Sequence, residues 1–364
     1  MKRYLLTLVL LVVPAVAQQR QNFTINVGTP EGQLLQNIGQ EADEAKKVAM
    51  MQEFLDKYPM HEGAGWVCVQ LQAVYLTQKN YDKALDAGMK VLDSSPDAID
   101  VGLNTIKAAE GKEDTGAVRK AAVKTAQIAR KLEAVKPADD DAKAMIEHDK
   151  EVGNYAEYAL YAATLKAKDP KEVGEIGAAL EEANPKSQYL WLATPNYVRA
   201  LGAKGCATAS KLAAADSKNA EAFLVAADCG WRGSRAEAVV SNGTRALEAL
   251  NSRPKVEGGN EGGKIGMANF YIGVGNSMQM KYGPANKALR AALPAIKGDS
   301  AIYANALFNL GLANYSMGKA IGDRGQMREG LKFFEESAGI ASNVQSQASR
   351  NATLIKQEIG AGAK

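Results

Sequence analysis

Histidine and cysteine are scarce in this chain, which has 2 His and 3 Cys among 364 residues. His61 and His148 are far apart in the sequence, and neither belongs to an HExxH-type metal motif. The chain also lacks a GxSxG sequence, a phosphate-binding loop and a paired-cysteine metal motif. We therefore predict that the protein is not an enzyme, and we predict no catalytic residue, no metal site and no cofactor.

The residues around His61 leave an enzymatic function as an alternative. His61 stands beside Glu62 and near Trp66, and an active site spread across several helices would use such a histidine. A loop histidine beside a helix start accounts for the same residues without any chemistry. Turnover that disappears when His61 is replaced would favour the enzyme.

Long apolar runs are also missing after the first residues of the chain. A basic pair, Lys2 and Arg3, precedes an apolar stretch at 5–13, and small residues follow from Ala15 to Ala17. This order is typical of a secretory signal peptide, and the apolar stretch is shorter than the about 20 residues that span a bilayer. We expect residues 1–17 to be cleaved after Ala17 and the protein to be exported, either to the periplasm or out of the cell.

Neither charge nor aromatic content is high. The formal net charge is +3, and it falls close to zero when Lys2 and Arg3 are removed with the signal peptide. The charge therefore predicts no nucleic-acid partner and no anionic-membrane partner. Aromatic residues make up 6% of the chain, and together with abundant alanine and few β-branched runs this favours helix throughout.

The stretch from Gly65 to Ala98 contains the clearest unit of structure. Apolar and small residues recur in it at steps of three or four, which places them on one stripe of each of two short helices. Pro96 ends the second helix because it cannot donate a helical hydrogen bond. The stripe of the first helix comprises Cys68, Leu71, Gln72 and Tyr75, and that of the second Tyr81, Ala84, Leu85, Gly88, Val91 and Leu92.

This unit resembles the tetratricopeptide repeat (TPR) family, whose pattern is W-x2-L-G-x2-Y, then A-x3-F, then P, at a period near 34 residues. Leu71, Tyr75, Ala84 and Pro96 stand in the Leu, Tyr, Ala and Pro slots. Cys68 takes the Trp slot, Gln72 the Gly slot and Gly88 the Phe slot. The resemblance implies an all-α fold, an α-solenoid of stacked antiparallel helix hairpins, in an exported bacterial-type member of the family.

Further copies extend the resemblance over most of the chain. We expect a flexible lead-in at 18–29, a first solenoid block at 30–251 and a second at 265–360. The Gly- and Pro-rich segment 252–264 is either a joint between the blocks or a long loop between helices. The second block includes Ile272-Gly273 and Leu310-Gly311 in the Leu-Gly slots, and a polar-faced helix from Val344 to Ile359 that caps the stack.

Two local features carry expectations of their own. The acidic triplet Asp139–Asp141 predicts a helix start, since acidic side chains favour the positive end of the helix dipole. Consecutive side chains on a helix point in different directions, which argues against a metal site at this triplet.

In stacked hairpins Cys206 and Cys229 lie on adjacent antiparallel helices, and they form either a disulfide or two separate buried thiols. Cys68 is expected to be a small buried residue.

The resemblance also implies a binding surface. In that family the first helices line the concave face, and residues between the packing slots point into the groove. We expect such a groove to bind a peptide or a partner helix, in a scaffold for protein interactions; the alternative is a cell-envelope glycan in the same groove. Packing against neighbouring helices would explain the same residues without a ligand. The residues at these positions are Trp66, Val69, Tyr155, Tyr158, Tyr197, Phe270, Phe308 and Tyr315.

Overall fold

The computed structural model describes residues 25–93, 97–255 and 260–361. The predicted signal peptide, most of the lead-in and Pro96 lie outside these ranges. The described chain is all-α, with 17 α-helices and a short 3-10 turn at Gly202–Lys204. The first eight are α1 (Pro30–Gln40), α2 (Glu44–Lys57), α3 (Ala64–Thr77), α4 (Tyr81–Leu92), α5 (Ile99–Gly111), α6 (Thr115–Glu133), α7 (Asp140–Lys166) and α8 (Pro170–Ala183). The others are α9 (Gln188–Ala200), α10 (Gly205–Ala215), α11 (Ala220–Arg232), α12 (Ala236–Ser252), α13 (Glu261–Met278), α14 (Tyr282–Ile296), α15 (Ser300–Ile321), α16 (Arg324–Ala338) and α17 (Gln345–Ala361).

The helices form two compact units. Unit 1 contains the described residues up to Lys168 together with Ala178–Asn184, and unit 2 contains Asp169–Gly177 and the described residues from Pro185 onward. In both units neighbouring helices of the sequence pack against each other. The first helices of successive hairpins also contact each other, α3 to α5 to α7 in unit 1 and α9 to α11 to α13 to α15 in unit 2. This sequential packing confirms the prediction of an all-α helical-repeat arrangement.

Five hairpin turns share one backbone geometry. Each places one residue in the left-handed region, with φ between 53° and 72°. The amide of that residue bonds to the carbonyl three positions earlier, and the next amide bonds to the carbonyl five positions before it. This is the Schellman motif, which satisfies carbonyls at a helix end. The left-handed residues are Lys79, Glu113, Ser234, Met280 and Gly322.

Short polar side chains begin many of the helices. The Asp139 carboxylate accepts a hydrogen bond from the Ala142 amide at 2.7 Å, so the predicted helix start at the acidic triplet is confirmed. The predicted C-terminal helix is confirmed as α17, whose buried side packs against Phe334 of α16. Helices with the same kind of N-cap begin after Asp43, Asn80, Asp114, Asn219, Asp299 and Asp323.

Small residues allow the helices to approach closely. At Gly88 a Cβ atom would lie 1.9 Å from the Thr105 hydroxyl oxygen and 2.1 Å from the Gln72 amide nitrogen. Gln72 is completely buried and donates hydrogen bonds to the Ala84 carbonyl (2.9 Å) and to Thr105 (3.0 Å). Glycine at position 88 therefore makes room for the polar contacts that join α3, α4 and α5.

The segment 252–264 lies between α12 and α13, which pack extensively and both belong to unit 2. The completely buried side chain of Arg253 donates hydrogen bonds to both carboxylate oxygens of Glu221 (2.6 and 2.9 Å) and to Glu261 (2.9 Å). Lys264 also contacts Glu221, and the Arg253 guanidinium lies 4.9 Å from the centre of the Trp191 ring. Two cations and two carboxylates thus tie both ends of the segment to α11.

The cysteines differ in their environment. Cys206, near the start of α10, and Cys229, near the end of α11, are joined by a disulfide with a Cα–Cα distance of 5.9 Å. Cys68 is a free thiol that is fully buried, as predicted, and burial raises its pKa to about 12. Cys68 therefore serves as an unreactive packing residue.

Among the described helices, none has both the length and the apolar character needed to cross a membrane.

Candidate functional site

The first helices of unit 1 present one exposed stripe. On α5 the stripe consists of Asp100, Leu103, Lys107 and Glu110, which are at least partly exposed and follow each other at steps of three and four residues. The remaining side chains of α5 are almost all buried against α3, α4, α6 and α7. Since α3 and α7 flank α5, the stripe lies between the side chains that those two helices contribute.

Two polar contacts join α7 to the stripe. His148 Nε2 lies 2.9 Å from Asp100 Oδ1, and the Tyr155 hydroxyl donates a hydrogen bond to Glu110 Oε2 at 2.5 Å. Burial raises the pKa of Tyr155, and the bond to the Glu110 carboxylate raises it further. Tyr155 therefore keeps its proton and holds the Glu110 carboxylate in place.

Three of the eight predicted groove residues lie at this surface. Tyr158 is 45% exposed, and its ring centre lies 6.3 Å from that of Tyr155, which is partly buried. Trp66 on α3 is partly buried and packs at the edge of the core of α1 to α4. Together these residues give the first-helix face of unit 1 an aromatic and charged character, and we define this face as Trp66, Asp100, Lys107, Glu110, Tyr155 and Tyr158.

Three other predicted residues are buried, which contradicts their placement in an open groove. Val69 is 6% exposed and packs in the core of α3 to α7, while Tyr197 is 4% exposed and lies against Gly177. Phe270 is completely buried, with its ring 5.3 Å from Trp231. The first helices touch each other along their sides, so residues next to the packing slots are covered by the neighbouring helix.

Phe308 and Tyr315 of α15 also pack against protein. The Phe308 ring lies 5.3 Å from the ring of Phe334 on α16. The Tyr315 hydroxyl bonds to Glu358 of α17 and accepts a hydrogen bond from Lys319 at 2.9 Å. Both side chains therefore serve to attach the last helices of unit 2.

His61 has a local structural role. The Gly63 amide donates a hydrogen bond to His61 Nδ1 at 2.9 Å, and the imidazole packs edge-on against the Phe54 ring at 5.5 Å. The turn between α2 and α3 contains this histidine, directly before the start of α3. Its contacts are those of a loop residue beside a helix start.

A groove that the sequence did not indicate lies between α2 and α4, which are the second helices of the first two described hairpins. Its volume is about 510 Å³. Leu71 and Tyr75 of α3 form the floor, and the small side chain of Ala87 leaves space on the α4 wall. The charged lining residues are Asp56 of α2 and Asp82, Lys83, Asp86 and Lys90 of α4; Gln52 and Leu55 complete the α2 wall.

The Tyr75 side chain is fixed at both ends. Gln52 donates a hydrogen bond to its hydroxyl, and the Lys83 ammonium lies 5.7 Å from the centre of its ring. Burial raises the pKa of Tyr75; the hydrogen bond from Gln52 lowers it, and the nearby Asp56 carboxylate raises it again. The repeat pattern places Tyr75 in a packing slot, and the small residue Ala87 on α4 was the one signal for space beside it.

Comparison with known proteins identifies no family for this chain. No family model matches this chain, and no curated protein is similar to it.

Proposed function

We propose that this protein is an exported, TPR-like scaffold that binds a peptide or a partner helix on the first-helix face of unit 1. The observation that carries the proposal is this face itself, in which the exposed ring of Tyr158 lies next to that of Tyr155, whose hydroxyl bonds to Glu110 on the neighbouring first helix. Aromatic side chains with flanking charges are typical of protein-interaction sites.

Similarity to the TPR family is supported by the helix arrangement. The hairpins follow one another in sequence, and the left-handed turn residues Lys79 and Glu113 are about 34 positions apart, which is the TPR period. Export is supported by the disulfide between Cys206 and Cys229, because disulfides form and persist in oxidising compartments. The role is one of binding and not of catalysis.

A cell-envelope glycan is the second candidate ligand. The neighbouring rings of Tyr155 and Tyr158 favour it, since sugar rings stack on exposed aromatic side chains, and the charged stripe of α5 offers hydrogen-bonding groups beside them. The two candidates differ in what is retained by the purified protein, a polypeptide or a polysaccharide.

A photocrosslinking experiment tests the proposal. A photoreactive amino acid replaces Lys107, and the full chain is exposed to the envelope fraction of its source cells. We expect one crosslinked protein, reduced about tenfold or more by Tyr158→Ala or Trp66→Ala, because aromatic anchors at an interface commonly contribute that much. Tyr282→Ala in unit 2 is the matched control and should leave the crosslink unchanged. Crosslinking that persists in both Tyr158 and Trp66 variants would contradict the proposal.

A polysaccharide pull-down separates the second candidate from the first. Retention of the wild-type chain on an envelope polysaccharide, lost on Tyr158→Ala and kept on Tyr282→Ala, would support the glycan. A crosslinked polypeptide with no such retention would support the scaffold.

A further inference from the structure

The groove between α2 and α4 is distinct from the first-helix face. At about 100° per residue, Leu71 and Tyr75 lie on the opposite side of α3 from Trp66 and Gln70. The groove opens between two second helices, and its volume of about 510 Å³ is within the range of small-ligand and side-chain pockets. A ligand in this groove therefore occupies a surface that the proposed scaffold function does not use.

Some charged side chains of the groove form salt bridges and others do not. Asp86 pairs with Lys90 at 3.1 Å, and Asp82 pairs with Lys112 at 2.6 Å. Asp56 on the α2 wall and Lys83 on the α4 wall make no salt bridge within the described residues. The groove thus keeps one carboxylate available to a cation that comes from outside.

The floor already holds a cation. The Lys83 ammonium lies over the Tyr75 ring, 5.7 Å from its centre. Lys83 is exposed, so it can move into solvent at little cost when another cation takes its place. A planar guanidinium can stack on the same ring and donate two hydrogen bonds to a carboxylate, which an ammonium cannot do.

We infer that the α2–α4 groove binds the arginine side chain of an extended peptide. The guanidinium replaces Lys83 above the Tyr75 ring and pairs with the Asp56 carboxylate. Leu55 is partly exposed and provides apolar surface for the methylene stem, while Leu71 and Ala87 line the groove below it.

Fluorescence anisotropy with labelled peptides tests the inference on the full chain. The probes are fluorescein-labelled Gly-Ala-Leu-Arg-Leu-Ala-Gly and the same peptide with citrulline, which keeps the shape of arginine and lacks its charge. We expect the arginine peptide to bind about tenfold more tightly than the citrulline peptide, because a charge-assisted pair and a ring contact are lost. Equal affinities, or no binding of the arginine peptide up to about 1 mM, would overturn the inference.

Two variants change this preference in opposite ways. Asp56→Asn should abolish the preference for arginine over citrulline. Lys83→Met should increase the affinity for the arginine peptide several-fold, since the competing cation is gone; weaker binding would count against the inference. Glu53→Gln is the matched control, because Glu53 is on the same helix and pairs with Lys57 at 2.6 Å outside the groove.

Further controls separate folding and the first-helix face from the groove. Ala87→Leu fills the groove and should weaken both peptides, and circular dichroism checks that each variant keeps its helix content. Tyr158→Ala should leave the arginine preference intact. Loss of that preference on Tyr158→Ala, with Asp56→Asn having no effect, would assign the peptide to the first-helix face and overturn the groove assignment.

Discussion

Two arginine–glutamate salt bridges of equal length occupy very different surroundings. The Arg253–Glu221 and Arg290–Glu329 pairs both have an N–O distance of 2.6 Å. The side chains are 0% and 2% exposed in the first pair but 44% and 43% exposed in the second. If burial determines how much an ion pair contributes to stability, replacing Arg253 and replacing Arg290 must lower the free energy of unfolding by different amounts.

Arg253→Met leaves the Glu221 carboxylate buried with Lys264 as its remaining cation. It also removes hydrogen bonds to Glu261 and to the Lys218 carbonyl. Loss of one partner of a buried pair costs about 3–5 kcal/mol, and we expect about 3 kcal/mol because Lys264 still compensates part of the charge. Arg290→Met should cost at most about 1 kcal/mol, since water solvates Glu329.

Urea unfolding followed by circular dichroism measures the loss of stability in both variants. Hydrogen exchange should show that the loss in Arg253→Met is located in α11 to α13.

Burial opposes ionisation of Glu221, but hydrogen bonds from Arg253 and Lys264 outweigh this effect and hold the pKa of Glu221 below the ordinary 4.5. This carboxylate therefore stabilises the fold above its unfolded-state pKa, and that contribution is lost as the pH falls through the folded-state value. Without Arg253 the pKa of Glu221 rises. The cost of Arg253→Met should therefore shrink between neutral pH and about pH 4, where the glutamate binds a proton.

Equal losses for Arg253→Met and Arg290→Met would refute the reasoning, because they would show that burial does not govern these pairs. A cost of Arg253→Met that stays constant from neutral pH to about pH 4 would refute the electrostatic explanation in particular.

Three further predictions concern stability, all measured by urea or thermal unfolding. Gly88→Ala should destabilise by about 2–3 kcal/mol because the new methyl displaces the buried Thr105 hydroxyl, and a change below about 0.5 kcal/mol would contradict the close approach. Met280→Gly should stabilise by about 0.5–1 kcal/mol, since glycine adopts the left-handed conformation without strain; destabilisation would contradict this. Reduction should cost about 3 kcal/mol by releasing the loop between Cys206 and Cys229, and the Cys206→Ser/Cys229→Ser double variant should show the same loss and no response to reductant.

The helices themselves were predictable because their signals are local. Apolar spacing of three and four residues predicted the pair α3 and α4, and the acidic residues from Asp139 predicted the start of α7. The C-terminal helix followed from the same spacing of Ala348, Ala352 and Ile355. Each of these features depends on residues within a few turns of each other in the sequence.

Contacts between hairpins could not be predicted in the same way. Tyr197 and Phe270 have the spacing of exposed positions between packing slots, but helices of the neighbouring hairpins cover them. Whether a position is a groove or a core depends on how closely the helices of neighbouring hairpins approach, and small residues such as Gly177 of α8 set that distance. The α2–α4 groove was missed for the converse reason, since Tyr75 fills a packing slot with one face and lines the groove, beneath Lys83, with the other.

The five hairpin turns could not be recognised from the sequence because of the residues at their left-handed positions. A Schellman motif is usually recognised by a glycine at the left-handed position, and in this chain four of the five shared turns have another residue there. The backbone geometry is nevertheless the same in all five, because the two terminal hydrogen bonds define it. Sequence patterns built on glycine therefore underestimate how regular the hairpins are.

These turns also bear on how the protein can be engineered. Lys79, Glu113, Ser234 and Met280 each hold a conformation that costs a side-chain-bearing residue about 1–2 kcal/mol, and they occupy four different hairpins. Effects at separate sites usually add, so glycine at all four would raise the free energy of unfolding by about 2–4 kcal/mol. A more thermostable form of the chain is therefore accessible through surface positions alone, with the core, the groove and the first-helix face left as they are.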